Sequence, residues 1–412
     1  MAQSQDCGKT WALIGPAGYG LYAYDIALEP QPSPAKAHVY FGLSGLGVFE
    51  STDLGKSWTP VNHGLNNTSI NTLVVDPEVP ATLYSGTSCC GIFKSIDNGV
   101  TWNAINNGLP FISTSPNNYQ SIIKLAVDPT NSNILYAGTD GNGIYKSTNG
   151  GSSWQSENSG LSEVTTAEIP GNSALVPNEL PYDPLFFDQD NSSIQSQVSP
   201  PLGTSSYPAL LIVPGLPSTL YAGSGAGVFK STNSGGSWVP SGLSGQQVFS
   251  LTIDPTAKIL YAGTTTGVYK TTDGGTSWQP IGLSSDLIYN LVIDGTNTNI
   301  IYACTAESGI YKSPDGGKSW NEFNNGLGDL QVYSLAIDPF NTDVLYAGTA
   351  NGLYVTILDG TMWELVPSDI FGTFFDPVVP STVTPNSLYA GTTSGVVIGQ
   401  FTGIPVVTTP GP

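Results

Sequence analysis

GVYKTTDGGTSW, residues 267–278, is the unit that the rest of the chain repeats. Its last eight residues follow the pattern Ser/Thr, any, Asp, any, Gly, any, any, Trp. In turn chemistry the roles divide: the Asp side chain accepts from backbone N–H groups two residues on, Gly takes a positive φ, and Trp closes an apolar lid beside the hairpin. The pattern therefore predicts a hairpin corner.

The same corner returns at Ser4-Asp6-Gly8-Trp11, Ser51-Asp53-Gly55-Trp58, Ser95-Asp97-Gly99-Trp102 and Ser313-Asp315-Gly317-Trp320, and Asp273 holds the carboxylate position of the opening stretch. Asn149 and Asn233 replace the carboxylate in the copies ending at Trp154 and Trp238, and the copy ending at Trp363 keeps Thr356 and Gly360 but has Leu358. All 8 tryptophans are thereby accounted for, at spacings of 47, 44, 52, 84, 40, 42 and 43 residues. A period in the low forties built from strand-like units reads as a propeller or a solenoid.

Each repeat carries four strand candidates, A to D, shown most plainly by VFSLTIDP (248–255), ILYAGT (259–264), GVYKTT (267–272) and SWQPI (277–281). Alternating β-branched and aromatic residues between Gly, Pro, Asn and Asp fit short antiparallel strands. Strand A is expected to end in Asp-Pro at Asp76, Asp128, Asp254, Asp338 and Asp376, as turn punctuation. The chain opens on a corner and a D strand (10–15) and closes on A, B and C strands near 370–401. Joined, these make one further four-stranded unit, the way a ring hides both terminal edges. The expectation is an all-β, eight-bladed propeller of four-stranded antiparallel blades, with seven blades as the alternative. Residues 1–401 form one domain with an insertion at about 159–207, and 402–412 read as a Pro/Thr-rich tail or linker.

The corners following a GVYKST-like strand resemble the Asp-box, or bacterial neuraminidase, repeat of β-propellers such as sialidases, sortilin-type receptors, xyloglucanases and photosystem II assembly factors. The likeness runs over residues 4–401 and implies the propeller fold, with the box as a structural corner. It does not transfer a function, since these relatives differ in what they do. Sialidases of this group clamp a substrate carboxylate with arginines; this chain has none, and Lys does not reproduce the bidentate fork. Xyloglucanases imply paired carboxylates in a cleft between two propellers, and one propeller lacks that cleft.

Net charge is −20 with only 11 basic residues, all Lys. Such a surface repels phosphate backbones, so neither nucleic acid nor anionic membrane is expected as a partner, and no apolar run is long enough for a membrane helix. The acidity, the shortage of cations and glycosylation sequons at Asn66, Asn67 and Asn191 point to an extracellular or cell-surface setting. MAQSQDCGKTW reads either as a mature terminus behind an added Met or as a cytoplasmic start.

The interval between Trp154 and Trp238 holds the insertion, on the face opposite the corners. There Tyr182, Asp183, Phe186 and Phe187 combine aromatic rings with carboxylates, as a glycan platform or protein contact needs; the competing reading is that the two Phe pin a long loop to the ring. Asp188, Asp190 and Ser192 have the alternating oxygens of the first half of a calcium loop, without the Gly and Glu that complete an EF-hand. Calcium is the one cofactor entertained. Cys89 and Cys90 sit in a B–C loop on that same face, either bonded to each other as a rigid apolar surface or as separate thiols. Cys304 replaces the Gly of YAGT inside a strand and is expected to be buried, and His38 and His63 have no nucleophile motif around them. The functional expectation is a non-catalytic extracellular module that binds protein or glycan, self-assembly included. The alternatives are a polysaccharide hydrolase or lyase, and an assembly factor for another complex.

Overall fold

The computed structural model describes residues 9–13, 23–28, 38–111, 119–161, 209–366, 378–380, 387–392 and 395–401, apart from short stretches of one to three residues within those ranges, 54–56 and 358–360 among them. Their strands form eight four-stranded antiparallel sheets, seven of them in simple chain order. The first is Ala23–Leu28, Val39–Leu43, Gly47–Ser51 and Thr59–Pro60, and the second Ile70–Val75, Leu83–Thr87, Ile92–Ser95 and Asn103–Ala104. In the eighth, Lys9–Leu13 pairs with Gly395–Phe401, which continues to Ser387–Thr392 and Val378–Pro380. The architecture is a β-propeller. No helix among the described residues is long and apolar enough to cross a membrane.

Position within a sheet follows from composition. The A strands of neighbouring sheets lie against one another, which places them nearest the axis. B strands such as Leu135–Thr139 and Leu260–Thr264 are buried throughout and read as continuous LYAGT runs, as strands covered on both faces do. Two-residue D strands such as Gln155–Ser156 are exposed at the rim. The Gly of LYAGT makes room for the next sheet: a Cβ on Gly86 would stand 2.7 Å from Ile122, and one on Gly263 2.8 Å from Ile288. Cys304 takes this place in the sixth sheet, fully buried in a cluster with Val332.

The corners differ from expectation in who accepts from whom. The corner hydroxyl, not the carboxylate, takes the N–H two residues on: Asp97 N donates to Ser95 Oγ at 3.3 Å, and Gly99 N to the same oxygen at 2.8 Å. Asp97 Oδ1 accepts from Thr101 N at 2.8 Å, four residues on, and Oδ2 from the Thr101 hydroxyl at 2.6 Å. Asp53, Asp273 and Asp315 repeat this with Ser57, Ser277 and Ser319. At Asn149 the carbonyl still accepts from Ser153 N while the amide donates to Ser153 Oγ at 2.9 Å, and Asn233 does the same with Ser237, so amide replaces acid by reversing one donor. The corner glycines hold positive φ, 84° at Gly99 and 90° at Gly151. Asp6 lies outside the described residues.

These bonds depress the acid pKa values. Hydroxyl donation from Ser277, then its backbone N–H, holds Asp273 down at about 2, and Thr101 and Ser319 lower Asp97 and Asp315 in the same way. Because the folded values lie below the ordinary one of about 4, the contribution is complete above it and disappears as pH falls toward 2. Thermal unfolding should thus be flat from neutral pH to about 5 and drop steeply between about 4 and 2. Asp273→Asn, which copies the arrangement native at Asn149, should fold and shallow that acid limb; an unchanged limb would remove the corner carboxylates as its cause.

Tryptophan also does more than cover its own hairpin. Trp102 donates Nε1–H to Val61 O at 2.7 Å and its backbone N–H to His63 O at 2.8 Å, both in the preceding sheet. Trp154 does the same with Ile105 and Asn107, and Trp363 with Phe323 and Asn325. The acceptors of the backbone N–H groups belong to a second repeat, Asn-x-Gly-Leu, at 62–65, 106–109, 158–161 and 324–327, and those of the indoles stand one residue before it. Its Asn closes the sheet from within: Asn106 accepts from Ile92 N and donates to Cys90 O. From the other side of the seam, Lys94, Lys146, Lys230 and Lys270 lie 5.1 to 5.6 Å over the B-strand Tyr rings and donate to a carbonyl in the next sheet's corner. These few cations in an acidic chain are therefore structural. In the first sheet Glu50 occupies the Lys position and His38 meets it at 2.6 Å.

One turn assignment is corrected. Asp76, Asp128, Asp254 and Asp338 are buried at the A–B turn, and Asp294, followed by Gly instead of Pro, belongs with them. Asp376 does not: strand A of the eighth sheet is Val378–Pro380, which follows Asp376-Pro377 in the chain. Pairing with Ser387–Thr392 sets this register, and an inner edge strand tolerates Pro380 because its free side needs no ladder donor.

Candidate binding site

A–B turns and corners share one face of the sheets; B–C loops and D–A connections share the other. Contacts bear this out at both: Gly150 N in a corner donates to Asn133 O in an A–B turn, and Tyr119 N in a D–A connection donates to Cys89 O in a B–C loop. Tyr182, Asp183, Phe186 and Phe187, with Asp188, Asp190 and Ser192, lie outside the described residues. Among the described residues, no group of three or more His, Cys, Asp or Glu is placed to hold a metal ion.

Cys89 and Cys90 are on the loop face as separate thiols, Sγ to Sγ 3.0 Å. Asn67 Nδ2 donates to Cys89 Sγ at 2.9 Å, while Cys90 packs against the core between the first two sheets. Beside them Phe111 and Tyr119 stack at 4.4 Å, with Phe111 63% exposed.

A second group on this face was not anticipated. Strand A carries a β-bulge at its loop-face end in six sheets, where the pairing skips one residue, as between Ile288 and Asn290. A bulge turns the skipped side chain out of the alternation. In the fifth, sixth and seventh sheets that residue is Phe249, Tyr289 and Tyr333, and the three rings run along the inner rim: Phe249 to Tyr289 at 6.1 Å and 74°, Tyr289 to Tyr333 at 5.9 Å and 46°. The Tyr289 hydroxyl is buried with no hydrogen-bond partner. Burial, then Tyr333 and Glu307, push its pKa up to about 12, so it stays a donor at any physiological pH. The recurring pairs Val-Phe, Ile-Tyr and Val-Tyr at 248–249, 288–289 and 332–333 were the available signal, masked because a bulge breaks period two.

The loops around this rim are one-signed. Residues 243–247, 265–266, 283–287, 306–309, 327–331 and 350–351 contain Asp286, Glu307 and Asp329 and no Lys. Asp286 accepts from Ser308 Oγ at 2.6 Å and Asp329 from Asn351 Nδ2 at 2.8 Å, bonds that brace neighbouring loops, whereas Glu307 projects into solvent. Leu330 adds a side chain 42% exposed. Tilted rings beside carboxylates suit a ligand that brings cations.

No protein-family model matches the chain, and no curated protein matches it significantly. Solved structures do. A GH74 enzyme of Niastella koreensis superposes with a TM-score of 0.56 at 19% identity, over 93% of this chain and 59% of that one. Sqt1 of Saccharomyces cerevisiae gives 0.62 at 12%, over 94% and 98%, and YCF48 bound to D1 peptide gives 0.53 at 12%, over 97% and 99%. The chain thus spans less than two thirds of the GH74 enzyme's length. At these identities what is shared is the fold, that of a β-propeller.

Proposed function

We propose that the chain is a non-catalytic binding propeller that takes an extended, basic polypeptide segment on the loop face of its fifth to seventh sheets. The observation carrying this is the rim of Phe249, Tyr289 and Tyr333 with an orphaned hydroxyl at its centre. An unpaired buried donor is costly in the free protein, and a turn of the Tyr289 ring that brings its hydroxyl out to a ligand carbonyl relieves that cost. Lys or Arg side chains of the ligand gain cation–π contact with the rings and charge complementarity with Asp286, Glu307 and Asp329. Rings tilted against one another grip side chains better than they stack a flat sugar face. YCF48, similar in fold, carries a bound peptide. In this reading the repeat is the Asp-box, the eight sheets are the blades of one closed ring spanning 1–401, and the acidic, arginine-free composition fits an extracellular or cell-surface setting. A glycan ligand is the second reading, favoured by the fold shared with a GH74 enzyme.

Titration calorimetry against an unstructured Lys/Arg-rich peptide and a neutral polysaccharide panel separates the two. The peptide should bind with an affinity that falls as salt rises, and Glu307→Gln should flatten that dependence. Tyr289→Phe should leave the fold at least as stable, since it removes an unsatisfied group, yet weaken binding by roughly tenfold. Peptide binding indifferent to all rim variants, or glycan binding abolished by them instead, would overturn the reading.

A further inference from the structure

The vicinal thiols of the second sheet have a built asymmetry. Their loop is pinned by its backbone: Cys89 O accepts from Tyr119 N at 2.7 Å, Cys90 N donates to Thr87 Oγ1 at 3.1 Å, and Cys90 O accepts from Asn106 Nδ2 at 2.9 Å. Ser69 N fixes the Asn67 carbonyl at 2.8 Å, which aims the other end of that amide at Cys89 Sγ. Cys89 Sγ is thus the sulfur held by a polar partner on the loop side. Cys90 lies against the apolar cluster that includes Val61, Ile70 and Phe93, where a thiolate is disfavoured. Burial, then the Cys89 hydrogen bond, raise the Cys90 thiol to about 12, against a smaller lowering by the Asn67 amide.

From this geometry we infer that Cys89 and Cys90 form a reversible two-electron redox site, Cys89 attacking and Cys90 resolving, whose oxidant is a small-molecule disulfide. Cys89 thiolate attacks one sulfur of oxidised glutathione, forming a mixed disulfide and expelling one glutathione thiolate. Cys90 then gives up its proton to solvent and attacks Cys89 Sγ, expelling the second thiolate and closing an eight-membered ring. Two protein thiols are oxidised, one glutathione disulfide is reduced to two thiols, and the electron count balances. Neighbouring Cα atoms are about 3.8 Å apart, closer than the roughly 4.4–6.8 Å of unstrained bridges. The bond is therefore strained and easily reduced, which suits a site that cycles more than one that staples. Both residues are partly exposed, so the oxidant has access.

The test is independent of peptide docking. Reduced protein is equilibrated with mixtures of reduced and oxidised glutathione, acid-quenched, alkylated with N-ethylmaleimide and read by peptide mass spectrometry. Wild type should pass from a doubly alkylated peptide to one lacking two hydrogens and refusing the reagent, and should return with dithiothreitol. Cys90→Ser should stop at a glutathione adduct on Cys89, and Cys89→Ser should form its adduct at least about tenfold more slowly. A dithiol persisting at every ratio, a wild type that halts at the adduct, or equal rates in the two variants would overturn the assignment.

Discussion

Trp154→Ala is expected to lower stability by about 3–5 kcal/mol, the range for deleting a buried aromatic side chain, read as a leftward shift of the urea unfolding curve. Trp154 is 3% exposed and packs among Leu109, Ile122, Leu125, Leu135 and Tyr145, residues of two adjoining sheets. Its removal opens a cavity in the seam between them and leaves Ile105 O without its 2.7 Å donor. A milder pair isolates the hydrogen bond. Trp154→Phe keeps most of the packing but loses that donor, whereas the Trp238 indole N–H is buried with no partner and Trp238→Phe relieves it. The first should cost about 1 kcal/mol more than the second. Equal losses would reduce the inter-sheet indole bond to a bystander of packing.

Gly108→Ala should be nearly as damaging, at about 3 kcal/mol, though it adds a single methyl. Gly108 has φ of +93°, and a Cβ there would stand 2.1 Å from Trp154 O, a backbone atom that cannot step aside without moving the next sheet's corner. That movement also breaks the 2.8 Å bond from Trp154 N to Asn107 O. Two costs combine: the left-handed conformation for a residue with a Cβ, and a displaced seam. Gly64, Gly160 and Gly326 meet Trp102, Trp238 and Trp363 in the same way. Gly225 is the control, having no positive φ and nothing within 4 Å of its Cβ, so Gly225→Ala should be neutral or slightly stabilising. A Gly108→Ala protein as stable as Gly225→Ala would show that the seam yields freely.

Much of this was legible beforehand because it is local. The corner announces itself through Ser, Asp, Gly and Trp at set offsets, and those offsets are dictated by hydrogen bonds spanning four residues. Alternation marked the strands for the same reason. The Asn-x-Gly-Leu repeat was equally visible at 62–65 and 106–109 but had no local purpose to betray it, since its carbonyls serve the following sheet. Asp376 misled because Asp-Pro signals a turn without saying on which side of a strand it falls; only pairing with Ser387–Thr392 decides that.

The sequence alone determined the all-β repeat, its corners and the pairing partners within each hairpin, since these depend on contacts a few residues long. Tertiary structure decided which carbonyls Trp102, Trp154 and Trp363 reach, why Lys94, Lys146, Lys230 and Lys270 persist in so acidic a chain, and that Phe249, Tyr289 and Tyr333 meet on one rim. Those residues lie about forty positions apart, and nothing but the stacking of one sheet on the next brings them within reach.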